Sequence, residues 1–264
     1  ETMDNIHDVF KEISNTEFKS VGERIKSFER ENLTRLVPNI PVIVRLGGHS
    51  FKKYTANFRK PYDEVIIEAM KYASTKLCGE VQNVKLAYSH NDEITLVVLD
   101  PNDQMWFNGD KYKVVSLCTS IATYHFNDYM EMNYWSKSPN PKIPAIFDCR
   151  VFQVPRNEVE NVLVWRQRDA IRKSISAYAQ QHFQSKELEN KSSNDKLKML
   201  LNVINWETIP AVNRRGFCVV KEIAILEDPK QKPKSRYTWG IDEDIPIFSR
   251  DKEFINCLVR IPEL

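Results

Sequence analysis

Only three residues, His90, Asn91 and Asp92, separate two strand-like runs, VKLAYS at about 84–89 and EITLVVL at about 93–99. So short a connection forces an antiparallel hairpin. What flanks it then fixes a topology. Upstream, PVIVRL reads as a buried strand. A helical pattern follows from Tyr62 to about Lys76, with Val65, Ile66, Ala69, Met70 and Ala73 on one side and Gly79 closing it. Downstream, YKVVSLCTSIATYHFNDYM reads as a helix over about 112–130, and AIFDCRVF as a strand. The order strand, helix, strand, strand, helix, strand predicts an α+β fold, a βαββαβ (ferredoxin-like) antiparallel sheet with packed helices.

Three regions are expected. Residues 1–35 form an N-terminal helical segment, in which Val9, Phe10, Ile13, Phe18, Val21, Ile25 and Phe28 recur at helical spacing and predict helices packed on the body. Residues 36–155 carry the sheet. Residues 156–264 form a helical and hairpin extension packed on it. Within that extension one long helix is expected over about 157–183, and PAVNRRGFCVVKEIAIL reads as a hairpin turning near Arg215-Gly216. The segment EDPKQKPKSRYTW, basic with two prolines and two aromatics, reads most simply as a solvated loop, and more sharply as an arm facing RNA.

A chain of 264 residues, 42% hydrophobic and 28% charged, suits one large domain with an appended part. A net charge of +2 does not by itself require a nucleic-acid partner, so any basic surface must come from clustering. No run of about 18 apolar residues occurs, so no membrane span is expected. The opening ETMDNIHDVF lacks a secretory pattern. Cys78, Cys118, Cys149, Cys218 and Cys257 are scattered, with no paired spacing. They read as reduced, buried thiols of a cytoplasmic or other reducing compartment, and dispersed histidines argue against a zinc site.

The chemistry should sit where the first strand ends. There the stretch VRLGGHSFKKYT places Gly47 and Gly48 side by side in a chain with only seven glycines. A strand ending in Gly-Gly lets a backbone approach something closely. The fold sets that end beside the hairpin tip, which offers Asp92 and Glu93. In polymerase palms, which share this topology with many silent domains, carboxylates at these two places hold paired Mg²⁺ ions. Adjacent acids on a strand point to opposite faces, so only one would reach a metal. Plain turn chemistry at Asn91-Asp92 is the simpler reading.

Five blocks in order resemble the tRNA(His) guanylyltransferase family: VRLGGHSFKKYT, FRKPYDEVIIEAM, AYSHNDEITLVV, KYKVVSLCTSIAT and FDCRVF…VLVWRQRDA. The resemblance spans about residues 36–216. It implies a palm-like fold and a Mg²⁺-dependent nucleotidyltransferase, with two ions expected if the site is intact. GTP and ATP would be substrates and tRNA the partner. The activity implied is addition of nucleotides in the 3′-to-5′ direction to the 5′ end of tRNA. Members commonly assemble as tetramers, so a homo-oligomer is implied. Arg45, Gly48 and Phe51 match the family's first block, Lys60 and Pro61 the second, and Asp92 and Glu93 the third, with Asn91 where serine is usual. Trp165, Arg166, Gln167 and Asp169 match the last. The family text following WRQxD is replaced here by IRKSISA, similar to a guanylyltransferase-like branch that repairs 5′-truncated tRNA in a template-dependent way.

Residue by residue, the resemblance implies metal ligation by Asp92 and the Gly48 carbonyl, and catalysis at Asp92, Glu93 and position 47. The triphosphate would lie on the loop of Gly48, His49, Ser50, Phe51 and Lys52, with Arg45, Lys60, Asn91 and Lys113 completing the nucleotide site. Arg150, Arg166, Arg168, Arg172, Lys173 and Arg215 would meet RNA. Trp165 is expected in the core, given the apolar VLVW run. Gly47 departs from the pattern, because the family has its first metal-binding aspartate there. Three readings stand: an inactivating substitution, a catalytically silent nucleotide- or RNA-binding relative, or a different ligand set drawn from Asp63, Asp100 or Glu93. A nucleotidyl cyclase on the same topology is disfavoured by WRQRD.

Overall fold

Along the first strand, β1 (Val42–Gly48), side chains alternate between two apolar layers. Val42, Val44 and Leu46 enter one core, whereas Ile43 enters another. A strand buried on both faces reads as a near-continuous apolar run, which is why PVIVRL lacks strict alternation. The computed structural model describes residues 16–31, 33–99, 104–138, 142–226 and 234–259.

After β1 come a single helical turn, α2 (Phe51–Tyr54), and α3 (Glu64–Glu80), preceded in the chain by α1 (Thr16–Glu31). The hairpin β2 (Val84–His90) and β3 (Glu93–Val98) leads to α4 (Lys111–Asn133) and β4 (Phe147–Gln153). Then α5 (Val159–His182), α6 (Ser185–Leu188), α7 (Ser193–Leu201) and α8 (Ala211–Arg215) precede β5 (Phe217–Leu226), β6 (Lys234–Asp242) and α9 (Lys252–Leu258). The expected βαββαβ order is present. The strands form one antiparallel sheet in the order β4-β1-β3-β2-β5-β6, so the sheet continues beyond the first four strands.

Helices α3 and α4 cover one face through Ala69, Met70, Ala73, Leu77, Cys118, Ala122 and Phe126. Helix α5 covers the other through Val159, Leu163 and Val164, joined by Phe248 and Ile255. A smaller core ties α5 to α6 and α7 through Ile175, Ala179, Leu188 and Leu200.

Several expectations are corrected. The N-terminal pattern does form a helix, but Val21, Ile25 and Phe28 on it are 41%, 49% and 52% exposed rather than buried in the core. Val9, Phe10 and Ile13 lie outside the described residues. Helix α3 runs through Gly79 and ends at Glu80, because its last turn still packs Leu77 and Cys78 into the core. Arg215-Gly216 does not turn a hairpin. Residues 211–215 form α8, Gly216 at φ 87° redirects the chain, and β5 pairs instead with β2 and β6. Of the basic stretch 227–239, residues 227–233 lie outside the described part and the remainder belongs to β6. Cys78, Cys118 and Cys218 are buried and Cys149 half-buried, but Cys257 is exposed because α9 is covered on one side only.

Candidate active site

In an antiparallel ladder, directly opposed residues share a face. Gly47 is opposed by Glu93 on β3 and by Asp148 on β4, so Asp148, Gly47 and Glu93 form one row across the sheet. The next row is Arg150, Arg45 and Thr95. Both lie on the α5 side. The row ends where β1, the hairpin tip and the Ser50 loop converge, and the Gly48 N–H donates to the Asp92 carbonyl at 2.9 Å. The hairpin tip turns on Asn91 at φ 54° and the loop on Ser50 at φ 53°. Asn tolerates that left-handed conformation well.

Glu93 is enclosed by cations. Arg45 donates to it at 3.0 Å, Lys173 stands 3.4 Å away, and Arg166 bonds its second oxygen. Arg166 is buried, with only 4% of its side chain exposed, and also reaches Asp169 at 3.2 Å. Burial alone would raise the Glu93 carboxyl; Arg166, Lys173 and Arg45 outweigh it and hold it below the usual carboxylate range. Burial likewise works against Asp169, and Lys173, Arg166 and Arg172 overcome it. Glu93 is therefore the anchor that ties the hairpin to α5, its charge already spent.

Asp92 is the opposite case. Burial pushes its carboxyl above the ordinary range, and the negative charge of Glu93 adds to the shift. Its own N–H, Lys173 and a 2.7 Å hydrogen bond from Asn91 oppose it. Such a carboxylate gains from a cation that removes the desolvation cost.

A pair of protein-held Mg²⁺ ions does not fit these donors. Position 47 offers no side-chain oxygen, and Glu93 is neutralised. Asp63 is committed as the N-cap of α3, accepting from Val65 at 3.0 Å and from the Arg59 N–H at 2.9 Å, and Asp100 lies outside the described residues. Among the described residues no three His, Cys, Asp or Glu side chains gather as a metal site. The place of the missing side chain is open, however. A Cβ on Gly47 would meet only the two Asp148 carboxylate oxygens, at 3.9 and 4.0 Å. Asp148 makes no hydrogen bond or ion pair to any described residue. Sequence reasoning missed Asp148. It lies in the FDCRVF strand, but only pairing β4 to β1 brings it over Gly47.

The remaining expected residues divide. The N–H groups of Gly48 and His49 are spent on the Asp92 and Ile146 carbonyls. Those of Ser50, Phe51 and Lys52, ahead of the first helical bond, are the ones left to meet an anion. The Phe51 side chain itself is core, packed on Tyr54, Phe126 and Phe147. Lys60 bonds the Thr55 carbonyl at 2.6 Å and lines a shallow cleft with Arg59, Tyr62, Asp63, His90 and Asn91. Burial lowers the His90 imidazole to about 4, against its bond to the Asn213 carbonyl, so it is neutral. Lys113 is not brought to this corner. It precedes Val114, which packs with Val42 and Val98 at the opposite end of β1 and β3.

Of the expected RNA contacts, Arg166 is an internal tie and Arg215 bonds the Ile245 carbonyl at 2.6 Å. Arg150, Arg168 and Arg172 are exposed. Trp165 is 50% exposed rather than core: Leu163 and Val164 point inward, and the next position turns outward.

The family model for tRNA(His) guanylyltransferase matches residues 22–155, half of the chain. The chain belongs to the tRNA(His) guanylyltransferase family. It is thereby a nucleotidyltransferase of the guanylyltransferase-like type, and the palm-like reading of its sheet is upheld. A bacterial tRNA(His) guanylyltransferase-like protein in complex with ATP is 33% identical, with a TM-score of 0.80 over 90% of this chain and 98% of that one. A second such bacterial structure, in complex with GTP, is 31% identical, with a TM-score of 0.74 over 92% and 100%. A probable tRNA(His) guanylyltransferase of Drosophila melanogaster is 26% identical over 80% of this chain and 76% of its own. Among the described residues no helix is long and apolar enough to cross a membrane.

Proposed function

We propose that this chain binds a nucleoside triphosphate and the 5′ end of a tRNA, and adds nucleotides in the 3′-to-5′ direction, as a repair enzyme of 5′-truncated tRNA slowed by Gly47. The observation that carries the reading is the convergence of the β1 end, the Asp92 tip and the open N–H groups of the Ser50 loop beside a cleft lined by Arg59 and Lys60. The N–H groups at Ser50, Phe51 and Lys52 would hold phosphate oxygens, and Lys60 would balance their charge. The cleft beside Asn91 and Tyr62 would take the base. The 3′-hydroxyl of the bound nucleotide would attack the α-phosphorus of the triphosphorylated tRNA 5′ end, forming the new phosphodiester bond as the α–β phosphoanhydride bond breaks, with pyrophosphate leaving and the hydroxyl proton passing to solvent. Glu93 acts as a positioning residue through Arg166. ATP- and GTP-bound relatives support the nucleotide, and the family supports tRNA. The resemblance also proposes a homo-oligomer, a tetramer.

The test is extension of a 5′-truncated, 5′-triphosphorylated tRNA with labelled nucleotides and Mg²⁺, comparing this chain with Gly47→Asp. The variant should extend faster by orders of magnitude, since the position has room for a side chain, whose Cβ would lie 3.9 and 4.0 Å from the Asp148 carboxylate oxygens. Equal rates would sink the claim that position 47 limits the reaction. Gly47, together with the neutralised Glu93, specifically favours a second reading, a silent nucleotide- or RNA-binding relative. Nucleotide binding without turnover by either protein would establish it.

A further inference from the structure

Helix α5 carries a stripe that the catalytic corner does not use. Asn161, Trp165, Arg168 and Arg172 are exposed at spacings of four, three and four, hence on one face. Within that stripe Trp165 is the residue that meets the sheet, through Arg45 of β1. Its ring lies 4.6 Å from the Arg166 guanidinium and 5.7 Å from that of Arg45, measured to the ring centroid. Both arginines are fixed by Glu93, so the indole is held in place rather than loose. Half of the residue nevertheless remains open to solvent. Arg45 is opposed by Arg150, which is exposed on the same face. A pre-positioned aromatic ring rimmed by Arg150, Arg168 and Arg172 suits a ligand with a planar ring and repeated negative charge. A single-stranded nucleic-acid end has both. A folded protein partner matched to this rim would need a concentrated acidic patch and gives no reason for a backed, open indole.

Position supplies the rest. Arg45 is two residues before Gly47, about 7 Å along the strand at roughly 3.3 Å per residue. A base stacked on Trp165 would therefore lie beside the Gly47–Asp92 corner. We propose that Trp165 is the stacking platform for the terminal nucleobase of the RNA 5′ end, with Arg150, Arg168 and Arg172 facing its phosphates. This rests on the RNA reading above and deepens it.

The experiment uses the full chain and a 5′-truncated tRNA bearing 2-aminopurine as its 5′-terminal base, titrated without added nucleotide. The unsubstituted protein should bind and quench the probe. Trp165→Ala should weaken RNA binding about tenfold and lose the quenching, in line with base–aromatic stacking. Trp165→Phe should keep most of both, which controls for folding. Nucleoside triphosphate affinity and the sedimentation coefficient should not change. Unchanged RNA affinity and quenching in Trp165→Ala would overturn the platform while leaving the RNA reading intact. Lost nucleotide affinity instead would assign the ring to the incoming base, and a changed sedimentation coefficient to a second copy of the chain; either overturns the proposal. No RNA binding by the unsubstituted protein would overturn both readings.

Discussion

A methyl group on Gly48 would stand 2.2 Å from the Phe51 ring, whereas one on Gly47 would meet nothing nearer than 3.9 Å. The two neighbouring glycines therefore exist for different reasons. Gly48 leaves room for an aromatic side chain of the core; Gly47 simply lacks a side chain its surroundings would accept. Gly48→Ala should destabilise the fold by about 1–3 kcal/mol through overpacking, and Gly47→Ala by less than about 0.5 kcal/mol. Chemical denaturation of both variants checks this contrast. At Glu93 the cost has another origin. Glu93→Gln leaves the buried Arg166 with only Asp169 as counter-charge, and breaking a buried pair on one side costs about 3–5 kcal/mol. A loss under about 1 kcal/mol in the same measurement would show that Asp169 alone suffices.

At the scale of elements, the helices were legible from their periodicity, and the structure shows what starts them. Asp63 caps α3, and Asp110 caps α4 by accepting from the Tyr112 and Lys113 N–H groups. Asp63→Ala should cost about 1 kcal/mol, typical of an N-cap, with its urea midpoint falling accordingly. An effect on Mn²⁺ affinity instead of stability would make Asp63 a metal ligand after all. The tight hairpin was legible from its short connection. The β5–β6 hairpin was not, because neither strand's partner is set by a short turn between them. Before β5, Arg215-Gly216 read as a turn; in the fold Gly216 instead lets the chain pass the Ser89 carbonyl and the Tyr88 ring, where a Cβ would clash at 2.3 Å and 2.9 Å. The α1 pattern was read correctly as a helix, but nothing in a periodicity says what its apolar face meets.

For the whole molecule, pH acts through His90. Burial leaves its folded value near 4, below the ordinary histidine value of 6.5, so folding favours the neutral ring. The associated stability is fully present above pH 6.5 and is lost as pH falls toward 4. Between pH 7 and 5 the loss should be about 2 kcal/mol, at 1.4 kcal/mol per pH unit below the ordinary value. Glu93, held low, contributes stability that disappears only below the ordinary carboxylate range. Asp92, held high, acts in the opposite sense, its cost easing as it protonates. Urea titrations at pH 7 and 5 should therefore show a slope that His90→Asn flattens. An unchanged slope would mean that another group carries it.

What the sequence by itself determined is what short-range chemistry decides: the helical periodicities, the three-residue hairpin, and so the βαββαβ order that puts Gly47 and Asp92 at one end of a sheet. The family blocks marked the same corner. What only the tertiary structure decided depends on which strands lie side by side and which helix crosses them. The pairing of β4 with β1 sets Asp148 over Gly47, and α5 packed on that face turns Arg166 inward to spend the charge of Glu93 and leaves Trp165 outward. The crossover from β3 through α4 carries Lys113 to the far end of β1. Register and crossing are set by the sum of many weak apolar contacts between distant segments, and no local pattern of residues encodes that sum.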